Sequence, residues 1–298
     1  MTSRGKGLAL CGALSALVLG GPAWAQTTSF TATYTGQGTL ATTCNTSFSI
    51  DGEEPMAAGK YPVFLYMVGT TEAFNNASAI AAVQGMANRG YVAATIQYDS
   101  PEFGNCAQIG GKAQCIFHPG SPTSAVEVLC SRAKADCSKG IVVGGFSQGA
   151  VIATLAKNTD SRVQAVWGMG DGVSYGPAAN LSACMANGNR TLQSDRLRAV
   201  NGQGDEFTGA TQPTQQTNMQ SLTGFTCPTG SFTCLQGNGS GWIIVANGQT
   251  ESNDADHCYM RDGGCLASQN SLDPGWENGD ANWQLNANLD WLTGFTAH

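Results

Sequence analysis

The chain has 298 residues, only 12% of them charged, with 14 basic and 21 acidic side chains and a formal net charge of −7. An acidic surface without a basic run has no electrostatic footprint for nucleic acid, so no nucleic-acid partner is expected. No Pro-rich or low-complexity linker divides the chain, and the length suits one large core.

Arg4 and Lys6, an apolar run from Leu8 to Leu19 and the small-x-small pattern Ala23-Trp24-Ala25 predict a secretory signal peptide over 1–25 and a single mature domain over 26–298. The apolar run is about a dozen residues, shorter than the roughly 20 that span a bilayer, and no later segment is longer. A secreted chain, extracellular or periplasmic, without a membrane anchor is therefore expected, as a monomer. Loss of the signal leaves 12 basic residues against 21 acidic ones, a net charge of about −9.

It also leaves ten cysteines, an even number in an exported chain, which predicts five disulfides. A shared six-residue gap favours Cys130–Cys137, Cys227–Cys234 and Cys258–Cys265, and a short loop favours Cys106–Cys115, leaving Cys44–Cys184. With roughly 945 possible connectivities, local pairing is a preference among many. No cysteine pair has the two-to-four-residue gap of a zinc site, so neither metal nor cofactor is expected.

From Gln26 to Ile50, Thr, Phe and Tyr alternate with polar residues, as in two antiparallel edge strands. Beyond them the period switches. Strands are predicted at Tyr61 to Val68, Tyr91 to Tyr98, Ile141 to Gly145, Val163 to Met169, Arg198 to Asn201 and Trp242 to Ala246. Helices are predicted at Asn76 to Arg89, Ser124 to Lys134, Gln148 to Asn158 and Asn282 to Leu292. This alternation means an α/β protein, a mostly parallel sheet with helices on both faces. Asp99 to Pro122, Gly170 to Arg196 and Glu206 to Gly241 read as long loops at the strand ends where ligands bind, none large enough for a cap domain.

Ile141-Val142-Val143-Gly144-Gly145-Phe146-Ser147-Gln148-Gly149-Ala150 runs from a strand through G-x-S-x-G into a helix. Glycines flank a serine in this way where the chain turns too sharply for larger side chains, holding the hydroxyl at the tip. Ser147 is thus the candidate nucleophile. Its base is expected to be His257, which follows the last parallel strand, since His118 precedes the nucleophile and His298 is the last residue. Asp205, ending a strand in a Gly-rich turn, is the candidate acid. Asp171 is the rival one strand earlier, and Asp254 and Asp256 shape the histidine loop. The backbone N–H of Gln148 and the N–H and hydroxyl of Thr70 are the expected oxyanion donors.

Gly145-Phe146-Ser147-Gln148-Gly149-Ala150 resembles the G-Y-S-Q-G-A nucleophile motif of cutinases, and Gly69-Thr70-Thr71-Glu72 resembles their G-S-T-E oxyanion loop. The resemblance implies an α/β-hydrolase fold, and a hydroxyl donor at Thr70. It covers only these two segments. Cutinases keep acid and histidine close in sequence and follow the acid with a cysteine, whereas some fifty residues separate Asp205 from His257 and Phe207 stands in the cysteine's place. Secreted bacterial polyesterases and lipases are equally near in layout.

The expected activity is hydrolysis of a small-molecule or polymeric carboxylic ester through an acyl-enzyme. Amide cleavage and acyl transfer use the same machinery, and a non-catalytic binding protein is the alternative from another class. Phe74, Phe207 and Trp276 are the candidate apolar contacts for substrate.

Overall fold

The computed structural model describes Met1 and residues 26–36, 44, 46–261 and 272–297. The expected signal peptide, His298 and Cys265 therefore lie outside the described residues.

Strands β1 (Thr27–Thr35), at the sheet edge, and β2 (Ser47–Pro55) pair antiparallel as expected, but β2 runs five residues beyond the expected end at Ile50. The parallel strands follow: β3 (Val63–Met67), β4 (Val92–Ile96), β5 (Ile141–Phe146), β6 (Val163–Met169), β7 (Leu197–Gly202) and β9 (Gly241–Val245). A short strand, β8 (Thr233–Leu235), pairs antiparallel with β9 at the far edge. The nine strands run β1-β2-β4-β3-β5-β6-β7-β9-β8. All pairs from β4 through β3, β5, β6 and β7 to β9 are parallel, while β2 meets β4 antiparallel.

Every residue of β3, β4 and β5 is buried. That is why these segments read as continuous apolar runs, for parallel strands are covered on both faces. Helix α1 (Ala77–Asn88) packs on β3 and β4 and against α8 (Leu285–Thr293). A second group, α2 (Cys106–Phe117), α3 (Ala125–Cys130), α4 (Gln148–Leu155) and α5 (Ser182–Met185), packs together, with α4 on β5 and β6. Helix α6 (Gln212–Thr223) lies on β7 and β9, and α7 (Gly275–Asn278) lies on α8. Strand order and layering are those of the α/β-hydrolase fold. Among the described residues no helix is long and apolar enough to cross a membrane.

All three expected loops carry helices, though the only α-helix in Gly170 to Arg196 is the four-residue α5. Asp99 to Pro122 contains α2, whose start is fixed by a capping box in which Asn105 and Gln108 satisfy each other's backbone N–H. Glu206 to Gly241 contains α6, which has Pro213 in its first turn and ends at Gly224 in the left-handed region (φ 78°). Its inward face is mostly polar: beside Met219 and Leu222, Gln212, Gln215, Gln216 and Asn218 are buried, and each of these four carries hydrogen bonds to neighbouring loops. A helix buried largely through amides shows a weak apolar period.

Helix α2 also overturns two disulfide expectations. Cys106 and Cys115 stand nine residues apart on one continuous helix, about 13 Å along its axis, far beyond the roughly 7 Å limit for bridged Cα atoms. They pair instead as Cys44–Cys115 and Cys106–Cys184, with Cα separations of 5.4 and 5.8 Å. The local pairs Cys130–Cys137 and Cys227–Cys234 form as expected. The pairing of Cys258 with Cys265 lies outside the described residues.

Candidate active site

The glycines around Ser147 have a steric reason to be glycine. A Cβ on Gly149 would sit 2.2 Å from the Met67 carbonyl oxygen, and one on Gly145 would sit 2.5 Å from the Gly149 carbonyl carbon. Strand β3 and helix α4 can approach β5 this closely only without side chains there. Ser147 itself is held at φ 52°, ψ −120°, a strained geometry for a residue with a side chain, and its N–H donates to the Met169 carbonyl oxygen at the end of β6, 2.7 Å away. The strain is what lifts the hydroxyl above the sheet.

Three chain segments converge on that hydroxyl. His257 Nε2 lies 2.9 Å from Ser147 Oγ, and His257 Nδ1 lies 2.7 Å from Asp205 Oδ2. The approach of the histidine loop to β7 depends on Gly202, where a Cβ would fall 2.0 Å from the Ala255 carbonyl oxygen. Asp205 is fully buried, and its Oδ1 accepts from the N–H groups of Phe207 and Thr208 at 3.0 and 3.1 Å. Those donors fix the carboxylate so that Oδ2 faces the imidazole. Asp256 Oδ1 accepts from the N–H groups of Cys258 and Tyr259, shaping the turn that carries His257.

Asp171 is placed elsewhere. Its carboxylate accepts from the Thr154 hydroxyl at 2.8 Å and from the Gly172 N–H at 2.8 Å, turned towards α4. Burial pushes its pKa up to about 6, against the pull of those bonds and of Arg190. His118 also lies away from the cluster, its Nδ1 accepting from the Gly120 N–H.

Burial alone disfavours the charged form of His257. The Asp205 carboxylate, through its charge and its hydrogen bond, with Glu206 and Glu72 behind it, outweighs burial and raises the imidazole pKa above its ordinary value. Phe146 and Phe207 flank the ring, their centroids 4.8 and 4.7 Å from it. Glu206 Oε2 accepts from the His257 N–H at 3.3 Å, a support that no sequence pattern had indicated.

The loop after β3 turns at Gly69, with Thr71 at φ 62° and Glu72 folding back so that its carboxylate accepts from the Gly69 N–H. Thr70 Oγ1 accepts from the side chain of Gln148 at 3.0 Å. That amide also donates to the carbonyls of Glu102 and Ser100 at 3.0 and 3.2 Å, and its oxygen accepts from Lys112 Nζ at 3.0 Å. Because Thr70 Oγ1 is occupied as an acceptor, its proton is free to donate elsewhere.

Ser147 and His257 open into a cavity of 360 Å3 walled by Pro101, Phe103, Phe146, Tyr175 and Phe207, with Thr70 and Arg261 at its margin. Of the three apolar candidates from sequence, Phe207 lies on this wall. Phe74 lines a separate cavity with Phe48, Tyr98 and Asp99. Trp276 does not fit a substrate contact: it is fully buried and stacks on Trp167 at 6.3 Å in the core. Phe103 and Tyr175 take that place, 4.6 Å apart on two loops whose sequences show no period.

No family model and no curated protein matches the chain. Among solved structures it is similar to a hypothetical protein from Pseudomonas aeruginosa, with a TM-score of 0.39 and 16% identity over 56% of this chain and 48% of that one. It is also similar to the esterase Est22, with a TM-score of 0.42 and 13% identity over 61% of this chain and 66% of that one. A third is brefeldin A esterase, a bacterial homologue of human hormone-sensitive lipase, with a TM-score of 0.43 and 13% identity over 64% of each chain. The matched region spans less than two thirds of each of these proteins. Likeness at this level carries no argument about activity.

Proposed function

We propose that the chain is a secreted serine hydrolase that cleaves carboxylic esters through an acyl-enzyme. The observation that carries this reading is the unbroken line Asp205, His257, Ser147, joined at 2.7 and 2.9 Å and ending on a strained serine that borders an apolar cavity. A serine hydroxyl becomes nucleophilic only when a neighbour removes its proton, and His257 Nε2 stands within hydrogen-bond reach of it. Asp205 holds Nδ1 protonated, so that Nε2 is the free acceptor, and stabilises the imidazolium that forms.

In this reading Ser147 attacks the carbonyl while His257 takes its proton, and the oxyanion meets the N–H of Gln148 and the N–H and hydroxyl of Thr70. His257 then protonates the departing alcohol, and water repeats the sequence to release the acid. The aromatic walls suit acyl groups of short to medium length. The segment from Gly170 to Arg196 carries no α-helix longer than the four-residue α5, and α6 lies on the sheet, so neither supplies a helical lid. With no helical lid from these segments among the described residues, the cleft is open to dissolved esters and to a polyester chain. Disulfides and the sequence of the first 25 residues support export.

The test is turnover of 4-nitrophenyl butyrate by the wild-type chain and by Ser147→Ala. The reading expects saturable hydrolysis and its loss by at least three orders of magnitude in a variant with an unchanged melting temperature. A Ser147→Ala chain that keeps its activity would refute it.

A further inference from the structure

We propose that the cavity selects esters that carry a carboxylate a short distance from the scissile bond, held by the guanidinium of Arg261. The inference rests on the esterase reading above and adds to it the class of substrate.

Arg261 lies four residues beyond His257 and lines the same 360 Å3 cavity as Ser147. Among the described residues it is the one side chain on that lining with a permanent charge; the walls are otherwise aromatic, apolar or hydroxylic. Its Nε stands 3.1 Å from Glu72 Oε1, a charge contact without the alignment of a hydrogen bond. Glu72 is itself committed: its carboxylate accepts from the Gly69 N–H and the Asn76 side chain, and its side chain is 3% exposed. Glu72 thus anchors the stem of Arg261 and leaves the other end of the fork free.

That end is what points to a ligand. Among the described residues neither Nη of Arg261 has an acceptor, yet neither is sealed from solvent; only Nε is both buried and without a hydrogen bond. Two adjacent nitrogens whose N–H groups meet no acceptor among the described residues, at the edge of an apolar pocket, match the two oxygens of a carboxylate. An unspecific catch of anions would need a basic surface, but the mature chain carries a net charge of about −9 and repels them at a distance. A carboxylate would be held only where it meets Arg261 directly. Ser147 and Arg261 share one cavity of only 360 Å3, so the charge and the ester must belong to one compact group, such as a half-ester of a dicarboxylic acid or an ester of a hydroxy acid.

The test compares matched ester pairs in the wild-type chain and in Arg261→Gln. One arm places the carboxylate on the acyl side, 4-nitrophenyl hydrogen adipate against 4-nitrophenyl hexanoate. The other places it on the alcohol side, 4-acetoxybenzoate against phenyl acetate. Within each arm the quantity read is the ratio of kcat/KM for the charged ester to that for the neutral one. Dividing the wild-type ratio by the variant ratio cancels the intrinsic reactivity of the esters and any general damage to the site.

The proposal expects that quotient to be tenfold or more in one arm, which identifies the side that Arg261 reads, with Arg261→Lys restoring part of it. In the wild-type chain, KM for the favoured charged ester should rise as salt is raised from low to 0.5 M while KM for its neutral partner stays within twofold. This second measurement needs no variant and stands if Arg261→Gln fails to fold. Quotients within twofold in both arms, or equal salt responses of the charged and neutral esters, would overturn the proposal while leaving the esterase reading intact. Absence of hydrolysis of all four esters would overturn both.

Discussion

Replacing Gln148 with Met tests how the oxyanion donors are held. Methionine matches the length of glutamine and keeps the backbone N–H of residue 148, but it has no amide. The glutamine side chain joins four groups: Thr70 Oγ1, the carbonyls of Ser100 and Glu102, and Lys112 Nζ, all within 3.2 Å. Gln148 and Lys112 are buried, at 0% and 7% exposure, while Thr70 and Ser100 are half-buried and Glu102 is exposed. In Gln148→Met the Thr70 hydroxyl loses the donor that occupies its oxygen, and its proton is no longer directed to the reacting atom. A single oxyanion donor is worth about 10²–10³ in kcat. Since Thr70 would be misdirected rather than removed, kcat should fall by about 10- to 100-fold with KM changed little. The Ser100 carbonyl loses this donor and Lys112 loses one acceptor, while Lys112 and the Glu102 carbonyl keep each other, so stability should fall by about 1–3 kcal/mol, the cost of one group left unpaired. Gln148→Glu separates the effects, because it still receives Lys112 but cannot donate to Thr70: the loss of kcat persists while much of the stability returns. Steady-state kinetics on 4-nitrophenyl butyrate and thermal melts read both quantities. A Gln148→Met chain within twofold of the wild-type kcat, or one altered only in KM, would refute this role for the amide.

Other outcomes follow from the same geometry. Asp205→Asn should lower kcat/KM by about 10⁴-fold and move the acidic limb of its pH profile downwards, because the carboxylate that raises the His257 pKa is gone; an unmoved limb would contradict the coupling. Activity needs neutral His257, so in the wild-type chain it should be lost as pH falls through a value above that of an ordinary histidine. Asp171→Asn should spare activity. Because burial raises the Asp171 pKa to about 6, its contribution to stability is full below the ordinary carboxylate range and fades as pH rises through 6, so the melting temperature of Asp171→Asn relative to wild type should improve between pH 4 and pH 8. Gly149→Ala should cost at least about 1–3 kcal/mol and displace the elbow, given the 2.2 Å clash with Met67; a melting temperature equal to wild type would exclude that packing. Peptide mapping should recover Cys44 with Cys115 and Cys106 with Cys184, and removing the second pair should cost about 2–4 kcal/mol.

The parts of the site that could be read in the sequence are those where one residue type is the sole steric solution. Gly145 and Gly149 are required by backbone contact, and the serine between them takes its strained geometry from their placement. Asp205 and His257 could be located because each follows an identifiable strand. The walls were less legible. Phe103 and Tyr175 sit on irregular loops and meet only in the fold, whereas Trp276, which stands near a predicted helix, is drawn into the core by Trp167. Helix α6 has a weak apolar period because amides make up most of its inner face, and in α2 Gly110 and Gly111 interrupt the helix propensity. Because α2 is a helix, Cys106 and Cys115, near each other in sequence, are too far apart to pair and reach Cys184 and Cys44 instead. Arg261 has no sequence signal, for its meaning depends on where Glu72 holds it.

Covalent labelling reads out whether Ser147 is a nucleophile activated by His257. A fluorophosphonate should add one phosphonyl group per chain, located on Ser147 by tandem mass spectrometry, with labelling and ester hydrolysis lost at the same rate. In His257→Ala the labelling rate should drop by at least about 10³-fold, because the hydroxyl has lost its base. Label found on another residue, or a Ser147 that reacts equally fast without His257, would contradict the account.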